Sequence, residues 1–209
     1  MKALINKTAW RELLSAELPG EKAQMEMAPD FRDACADESA PIPAAVLILM
    51  YPLEEGTRLV FMKRNAYDGP HSAQVSFPGG AREAGDRTLE DTAIRETREE
   101  LGIDQEICIL GPLTPLHIPV SNYQVSPFAG WMSQRPVFQP DPSEVQYLIE
   151  VQLDELMDPA IRLEEYSLRE GQEIRVPYFR VGKEKIWGAT AMMLSEFLQL
   201  ASRMQELRC

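Results

Sequence analysis

Glu96, Glu99 and Glu100 lie at i, i+3 and i+4, directly after Arg95 and downstream of a Phe77-Pro78-Gly79-Gly80 run. At about 100° per residue, a helix carrying this spacing gathers three carboxylates within roughly a third of its circumference. Like charges so placed repel, and the arrangement calls for a compensating cation. Hard divalent ions meet that need. Mg²⁺ and Mn²⁺ take oxygen ligands, keep some of their waters and bridge protein carboxylates to substrate phosphates. Ions held this way neutralise charge on a phosphate and lower the pKa of an attacking water. Glu96, Glu99 and Glu100 are therefore the candidate metal ligands, and Arg95, four residues before Glu99, is placed to orient that carboxylate. A merely solvated acidic face is the alternative, but the glycine run before the glutamates and Gly102-Ile103 after them argue against it. No Ser-His pair and no cysteine lies in the stretch, so water rather than a protein nucleophile is expected to attack.

The elements that must hold these residues follow from the flanking sequence. Thr88 reads as a helix N-cap and Gly102 as the residue that stops the helix, with about three turns between them. Leu89, Ala93, Thr97 and Leu101 form a mostly apolar stripe beside the carboxylates. Gly79 and Gly80 allow close backbone approach to a substrate. Glu83 and Asp86, in the loop before the helix, either hold an outer cation or shape the loop. Upstream, residues 44–51 (AAVLILMY) form a buried strand, and residues 57–63 complete a hairpin after Glu54-Glu55-Gly56. Residues 64–76 make a polar loop bordering the site, with Arg64 and His71 as substrate-binding candidates. His71 either serves a phosphate as donor, acid or base, or is a structural hydrogen-bonder.

Further along, residues 106–110 form a short strand, and residues 112–142, with seven prolines, hold one strand between long loops. Its His117 and Trp131 read as packing residues. Residues 144–153 and 172–179 alternate as strands extending the sheet. Trp187-Gly188-Ala189-Thr190 opens a last helix whose Met193, Phe197, Leu200, Met204 and Leu207 form a stripe for core packing or, alternatively, for a homodimer contact. At the other end, residues 6–18 carry helical spacing in Trp10, Leu13, Leu14 and Leu18, and residues 21–43 read as a connector. Residues 1–43 are thus expected to pack on a catalytic domain at 44–209. The order of elements implies an α/β fold with a mixed sheet between helices.

Composition bounds the partners. The 209 residues, 44% of them apolar, suffice for one domain with its own core. A formal charge of −12 excludes an extended nucleic-acid interface and requires an anionic substrate to be neutralised locally. Cys35, Cys108 and Cys209 suggest neither a disulfide framework nor a zinc site. With no apolar segment of signal-peptide or spanning length, no membrane partner is expected and a cytoplasmic location is.

The glutamate stretch resembles the signature of the Nudix hydrolases, which Arg95, Glu96, Glu99, Glu100, Gly102 and Ile103 match directly. Asp86 stands where a Glu is usual and Thr97 at an apolar position. Eight residues separate Asp86 from Arg95, one more than is common. That insertion, the Phe77-Pro78-Gly79-Gly80 run and Trp187-Gly188-Ala189-Thr190 resemble the coenzyme A pyrophosphatase branch. The resemblance implies an α/β/α sandwich with a mixed sheet, Mg²⁺ or Mn²⁺ as cofactor, and a small-molecule nucleotide substrate. Its diphosphate would be cleaved, coenzyme A or acyl-CoA giving (acyl-)4′-phosphopantetheine and 3′,5′-ADP. ADP-ribose, NADH or dinucleoside polyphosphates are the alternative substrates; a catalytically silent binding module would be expected to have lost a box carboxylate. Bases in this family lie inside or outside the signature, which leaves Glu96 and Glu144 as candidates. The branch also carries an Arg and a Gly in the preceding loop, where this chain has Gly69 and Ala73; Lys63, Arg64 and His71 are then the candidate cations for a 3′-phosphate.

Overall fold

The computed structural model describes residues 7–30, 39–69, 71–169 and 171–206. Helix α1 (Lys7–Ser15) turns Trp10, Leu13 and Leu14 inward, and α2 (Gly20–Met25) follows after Pro19. The first helix therefore ends earlier than its apolar spacing predicts. The segment read as a connector begins as a helix; its residues 31–38 lie outside the described residues.

Strands β1 (Ile42–Leu53) and β2 (Gly56–Arg64) form the expected antiparallel hairpin, with Leu53 opposite Gly56 at the turn. Short strands β3 (Val75–Ser76) and β4 (Gly79–Ala81) pair with β2 and β1 respectively. Helix α3 (Leu89–Leu101) then leads to β5 (Cys108–Pro112), β6 (Leu116–Ile118) and β7 (Tyr123–Trp131). The proline-rich segment thus holds two strands of its own, not one. Strand β8 (Val145–Gln152) returns to pair with β2, with Val145 opposite Arg64. Strand β1 runs parallel to β7 from Ile42↔Tyr123 to Met50↔Trp131, whereas the other pairings are antiparallel. The sheet is mixed, in the order β3-β2-β1-β7-β5.

A short helix α4 (Leu153–Leu156) precedes β9 (Arg162–Arg169), β10 (Gln172–Val181) and β11 (Glu184–Trp187), which make a separate three-stranded sheet. The strand expected at 172–179 is present, but it does not extend the main sheet. Helix α5 (Gly188–Glu206) closes the described chain.

Strand β1 is apolar without interruption because both of its faces are covered. Ala44, Ile48 and Met50 join a core with Trp10 and Phe197, which stack at 4.8 Å between centroids. Ala45, Leu47, Leu49 and Tyr51 face the opposite way, into a core with Ala93 and Leu101 of α3. Helices therefore flank the sheet on both sides. Met193, Phe197, Leu200 and Met204 are buried in the first of these cores, so these residues of the α5 stripe pack within the chain; Leu207 lies outside the described residues.

Candidate active site

Helix α3 is fixed at both ends by local chemistry. The Thr88 hydroxyl accepts from the Asp91 amide and the Asp91 carboxylate accepts from the Thr88 amide, a reciprocal cap that satisfies two amides left over at the helix start. At the other end Gly102 adopts φ 62, and a Cβ there would run into the Gln139 carbonyl, so only glycine suits the position. Ala93, Thr97 and Leu101 are buried. Thr97 is tolerated in an apolar stripe because its hydroxyl donates to the Ala93 carbonyl at 2.7 Å.

The three glutamates are not equivalent. The side chain of Glu100 is 2% exposed, that of Glu96 15% and that of Glu99 61%. Glu96 and Glu100 line a cavity of about 320 Å³ together with Glu144, which sits just before β8. Arg64, His71, Gly79 and Gly80 line it as well; Arg95 and Glu99 stand outside the lining. The three carboxylates lie on one side of the helix but to different depths: Glu96 and Glu100 turn inward and line the cavity with Glu144, and Glu99 faces solvent.

Both inner glutamates are held. Glu100 accepts the Gly79 amide on Oε2 at 2.7 Å, and its Oε1 lies 3.1 Å from Arg64 Nη2. Burial nevertheless pushes its carboxyl up to about 8, with Glu96 and Glu144 adding repulsion against the relief from Arg64 and the Gly79 amide. Burial also raises Glu96, against the opposing pull of Arg95 and with repulsion from Glu99 and Glu144.

Arg95 is a hub. Its Nε and Nη2 meet Asp86 Oδ1 and Oδ2 at 3.1 and 3.0 Å, Nη1 meets both Glu96 and Glu99 at 2.9 Å, and Nη2 also reaches the Ala81 carbonyl at 3.0 Å. Asp86 further accepts from the Thr92 hydroxyl and the Glu83 amide, each at 2.9 Å. The Arg95 guanidinium, followed by these donors, holds the Asp86 carboxyl well below the usual range. Of the two readings open for Asp86, the structure favours loop shape. Glu83 leaves its side chain largely exposed.

The cations considered for a 3′-phosphate are all engaged by the protein. Lys63 pairs with Glu184 at 2.7 Å. His71 contacts Gln74 through Nδ1 at 3.3 Å and Ser121 through Nε2 at 3.1 Å, and burial lowers its pKa, while the residue also lines the cavity. Ala73 adopts φ 54, the left-handed region that favours glycine, at the position where the branch pattern carries Gly. The cavity is also lined by the apolar Ile118, Val125, Ala189 and Met193 and by Tyr123. The Trp187-to-Thr190 motif pointed toward the α5 side of this wall; nothing in the sequence singled out Ile118 or Tyr123.

A family model describing the NUDIX domain matches residues 41–176. The chain belongs to the Nudix family. It is 33% identical over 186 residues to the uncharacterized Nudix hydrolase NudL of Pectobacterium atrosepticum, covering 86% of this chain and 92% of that protein. The corresponding protein of Photorhabdus laumondii is 34% identical over 161 residues, covering 75% of this chain and 83% of its own. Among solved structures, the fold is similar to that of the Nudix hydrolase RenU of M. smegmatis, with a TM-score of 0.55 at 15% identity over 82% of this chain and 92% of that one. The Nudix fold expected from the signature is the fold observed, and the chain is a Nudix hydrolase.

Nudix hydrolases generally use divalent metal ions, and the cavity suits one by donor type, with the carboxylates of Glu96, Glu100 and Glu144 in its lining. Among the described residues no three acidic, histidine or cysteine groups already converge as a ligand set, because Glu96 is turned toward Arg95 and Glu100 toward Arg64 and Gly79. Also among the described residues, no helix is long and apolar enough to cross a membrane.

Proposed function

We propose that this Nudix hydrolase is a cytoplasmic, Mg²⁺- or Mn²⁺-dependent diphosphatase for a nucleoside diphosphate linked to a second moiety, with coenzyme A or acyl-CoA as the substrate. The observation that carries the reading is that Glu96, Glu100 and Glu144 line one cavity with Gly79 and Gly80 and with apolar residues that include Ile118, Val125 and Met193. Glu96, Glu99 and Glu100 would hold the metal, with Arg95 orienting Glu96 and Glu99. When bound, the metal neutralises the diphosphate and lowers the pKa of the attacking water. The water oxygen bonds to phosphorus, the bridging P–O bond breaks, and the bridging oxygen leaves with the other phosphate. The proton passes to Glu96 or Glu144. Ile118, Tyr123 and Met193 exclude water around the non-phosphate arm. Residues 1–43 serve as a packed-on support for the domain at 44–209.

Coenzyme A is supported by the longer signature spacer and by the two flanking motifs. A second reading, ADP-ribose, NADH or a dinucleoside polyphosphate, is favoured by the engagement of Lys63, Arg64 and His71 with protein partners, which leaves a 3′-phosphate no evident cation. Product identification across a panel of these diphosphates with Mg²⁺ and Mn²⁺ tests both. Coenzyme A should give 4′-phosphopantetheine and 3′,5′-ADP, with one ¹⁸O from labelled water in a product phosphate and no label on protein. Turnover that survives chelation overturns the metal-dependent reading. A preference of about tenfold or more in kcat/KM for another diphosphate overturns the substrate.

A further inference from the structure

We propose that Arg64 is a positioning residue that fixes Glu100 and the Gly79 peptide, does not receive a substrate phosphate, and leaves the cavity without selection for a terminal 3′-phosphate. The inference rests on the reading of the cavity as the hydrolytic site. Three residues from three elements close a ring there. The Gly79 amide donates to Glu100 Oε2 at 2.7 Å. The Gly79 carbonyl accepts from Arg64 Nη2 at 2.9 Å. The same Nη2 lies 3.1 Å from Glu100 Oε1, which completes the ring.

Arg64 Nε donates to Ser76 Oγ at 3.2 Å, so the guanidinium plane is set by β2, β3 and β4 together before any ligand arrives. Arg64 is part of the cavity wall, yet Nε donates to Ser76 and Nη2 to the Gly79 carbonyl, with Glu100 Oε1 3.1 Å from the same Nη2. A planar fork with several acceptors loses little entropy on fixation and holds two groups in one geometry, which a lysine in its place would not do. Gly79 itself has no freedom to compensate, since its Cα packs against β1 so closely that a Cβ would lie 2.6 Å from Val46 Cα. Lys63 and His71 have protein partners of their own, so no other cation considered for a 3′-phosphate takes over that contact.

The two roles predict opposite patterns. A phosphate receptor contributes to one substrate and not to its dephospho analogue, whereas a positioning residue contributes to turnover of every diphosphate alike. The experiment compares wild type, Arg64→Ala, Arg64→Lys and Ser76→Ala on coenzyme A and 3′-dephospho-coenzyme A, with backbone amide exchange across residues 77–81. Wild type should favour coenzyme A by no more than about threefold in kcat/KM, below the span of a charge-assisted contact. Arg64→Ala should lower kcat at least about tenfold on both substrates, with KM and the substrate ratio held within about twofold and exchange at 77–81 accelerated. Arg64→Lys should recover part of kcat, and Ser76→Ala should show a smaller loss of the same pattern; these two carry the test if Arg64→Ala does not fold.

A wild-type preference for coenzyme A above about tenfold overturns the absence of 3′-phosphate selection. A fall in that ratio of about fivefold or more in Arg64→Ala, with dephospho-coenzyme A turned over normally, overturns the positioning role. Should wild type cleave neither substrate, the diphosphatase reading fails by itself, and amide exchange still decides on Arg64: exchange at 77–81 unchanged in its variants overturns the proposal.

Discussion

Arg95 lays its guanidinium along Asp86, nine residues before it, in a two-pronged contact at 3.1 and 3.0 Å, and from that anchor reaches Glu96 and Glu99 at 2.9 Å each. The anchor sits in the loop and the glutamates on the helix, so the pair transmits the shape of the loop to the orientation of Glu96. Paired forks of this kind fix direction as well as distance. The shorter carboxylate at position 86 is served by Thr92 from the first turn of α3, which adds a third point of attachment.

Removing the Asp86 charge should therefore loosen the loop and mis-set Glu96 together. Asp86→Asn is expected to unfold at lower denaturant than wild type at neutral pH and to turn over at least about tenfold more slowly. The pH dependence has a defined sign. The folded carboxyl sits below its usual value, so its contribution is present above about pH 4 and is lost as pH falls below that. Urea denaturation at pH 7 and pH 3 should show wild type losing more stability on acidification than Asp86→Asn. Equal losses in the two proteins would mean that the contact does not hold in solution.

Glu100 predicts the opposite slope. Its folded carboxyl is pushed up to about 8 from an ordinary 4.5. The folded state therefore keeps a proton that the unfolded chain has released, and the associated stability, full below about pH 4.5, drains away as pH rises toward 8. In metal-free buffer wild type should lose thermal stability between about pH 5 and pH 8, and Glu100→Gln should not. Mn²⁺ added at pH 8 should raise the Tm of wild type more than that of the variant, since ions that bind only the folded state stabilise it. A Tm response to Mn²⁺ that is the same in both proteins would remove Glu100 from the metal site.

Much of this was legible before any coordinates, and the illegible part has a physical reason. On a helical wheel the stripe of Leu89, Ala93, Thr97 and Leu101 centres about 40° from Glu100, 80° from Glu96 and 140° from Glu99, which is the order of increasing exposure observed. The spacing thus held the inequality of the three glutamates, although their shared type suggested one face. Strand β1 was readable because a strand covered on both sides is apolar throughout. Glu144 reaches the cavity through the pairing of β8 with β2, where Val145 meets Arg64 across 81 positions of sequence, and no local pattern encodes such a pairing. Strand β9, Arg162–Arg169, is charged and largely exposed, carries little apolar periodicity, and is held to β10 by backbone bonds and the Arg175–Glu164 ion pair, neither of which composition announces.

Trp10 tests how far the N-terminal helix belongs to the fold. It is fully buried and stacked on Phe197, and its indole N–H has no hydrogen-bond partner among the described residues. Trp10→Ala should cost about 3–5 kcal/mol, the range for emptying a large aromatic site. Trp10→Phe keeps most of the stack and removes the unpaired donor, so its cost should stay under about 1.5 kcal/mol. Urea midpoints at constant m-value measure both. A negligible effect of Trp10→Ala would show α1 to be dispensable to the core it packs on.

Two neighbouring glycines should fail in different ways. At Gly79, φ is 151, and an added Cβ would meet the backbone of β1, running into the Ala45 carbonyl and lying 2.6 Å from Val46 Cα. Backbone at the centre of a sheet has nowhere to go, so Gly79→Ala should destabilise the protein by roughly 2 kcal/mol or more and lower its yield of folded protein. At Gly80 the obstacle is the Glu96 carboxyl group, with all three of its outer atoms 2.6 Å from the added Cβ. That group is the far end of a flexible side chain and can swing aside. Gly80→Ala should therefore fold with a Tm within a few degrees of wild type, while displacing Glu96 from the geometry that Arg95 sets and cutting kcat by about 10²-fold. Circular dichroism melts set beside steady-state kinetics separate the two outcomes. Gly80→Ala with wild-type kcat would show that the position of Glu96 against this strand is immaterial to turnover, and would exclude Glu96 from the chemistry while leaving the structural role of Gly79 intact.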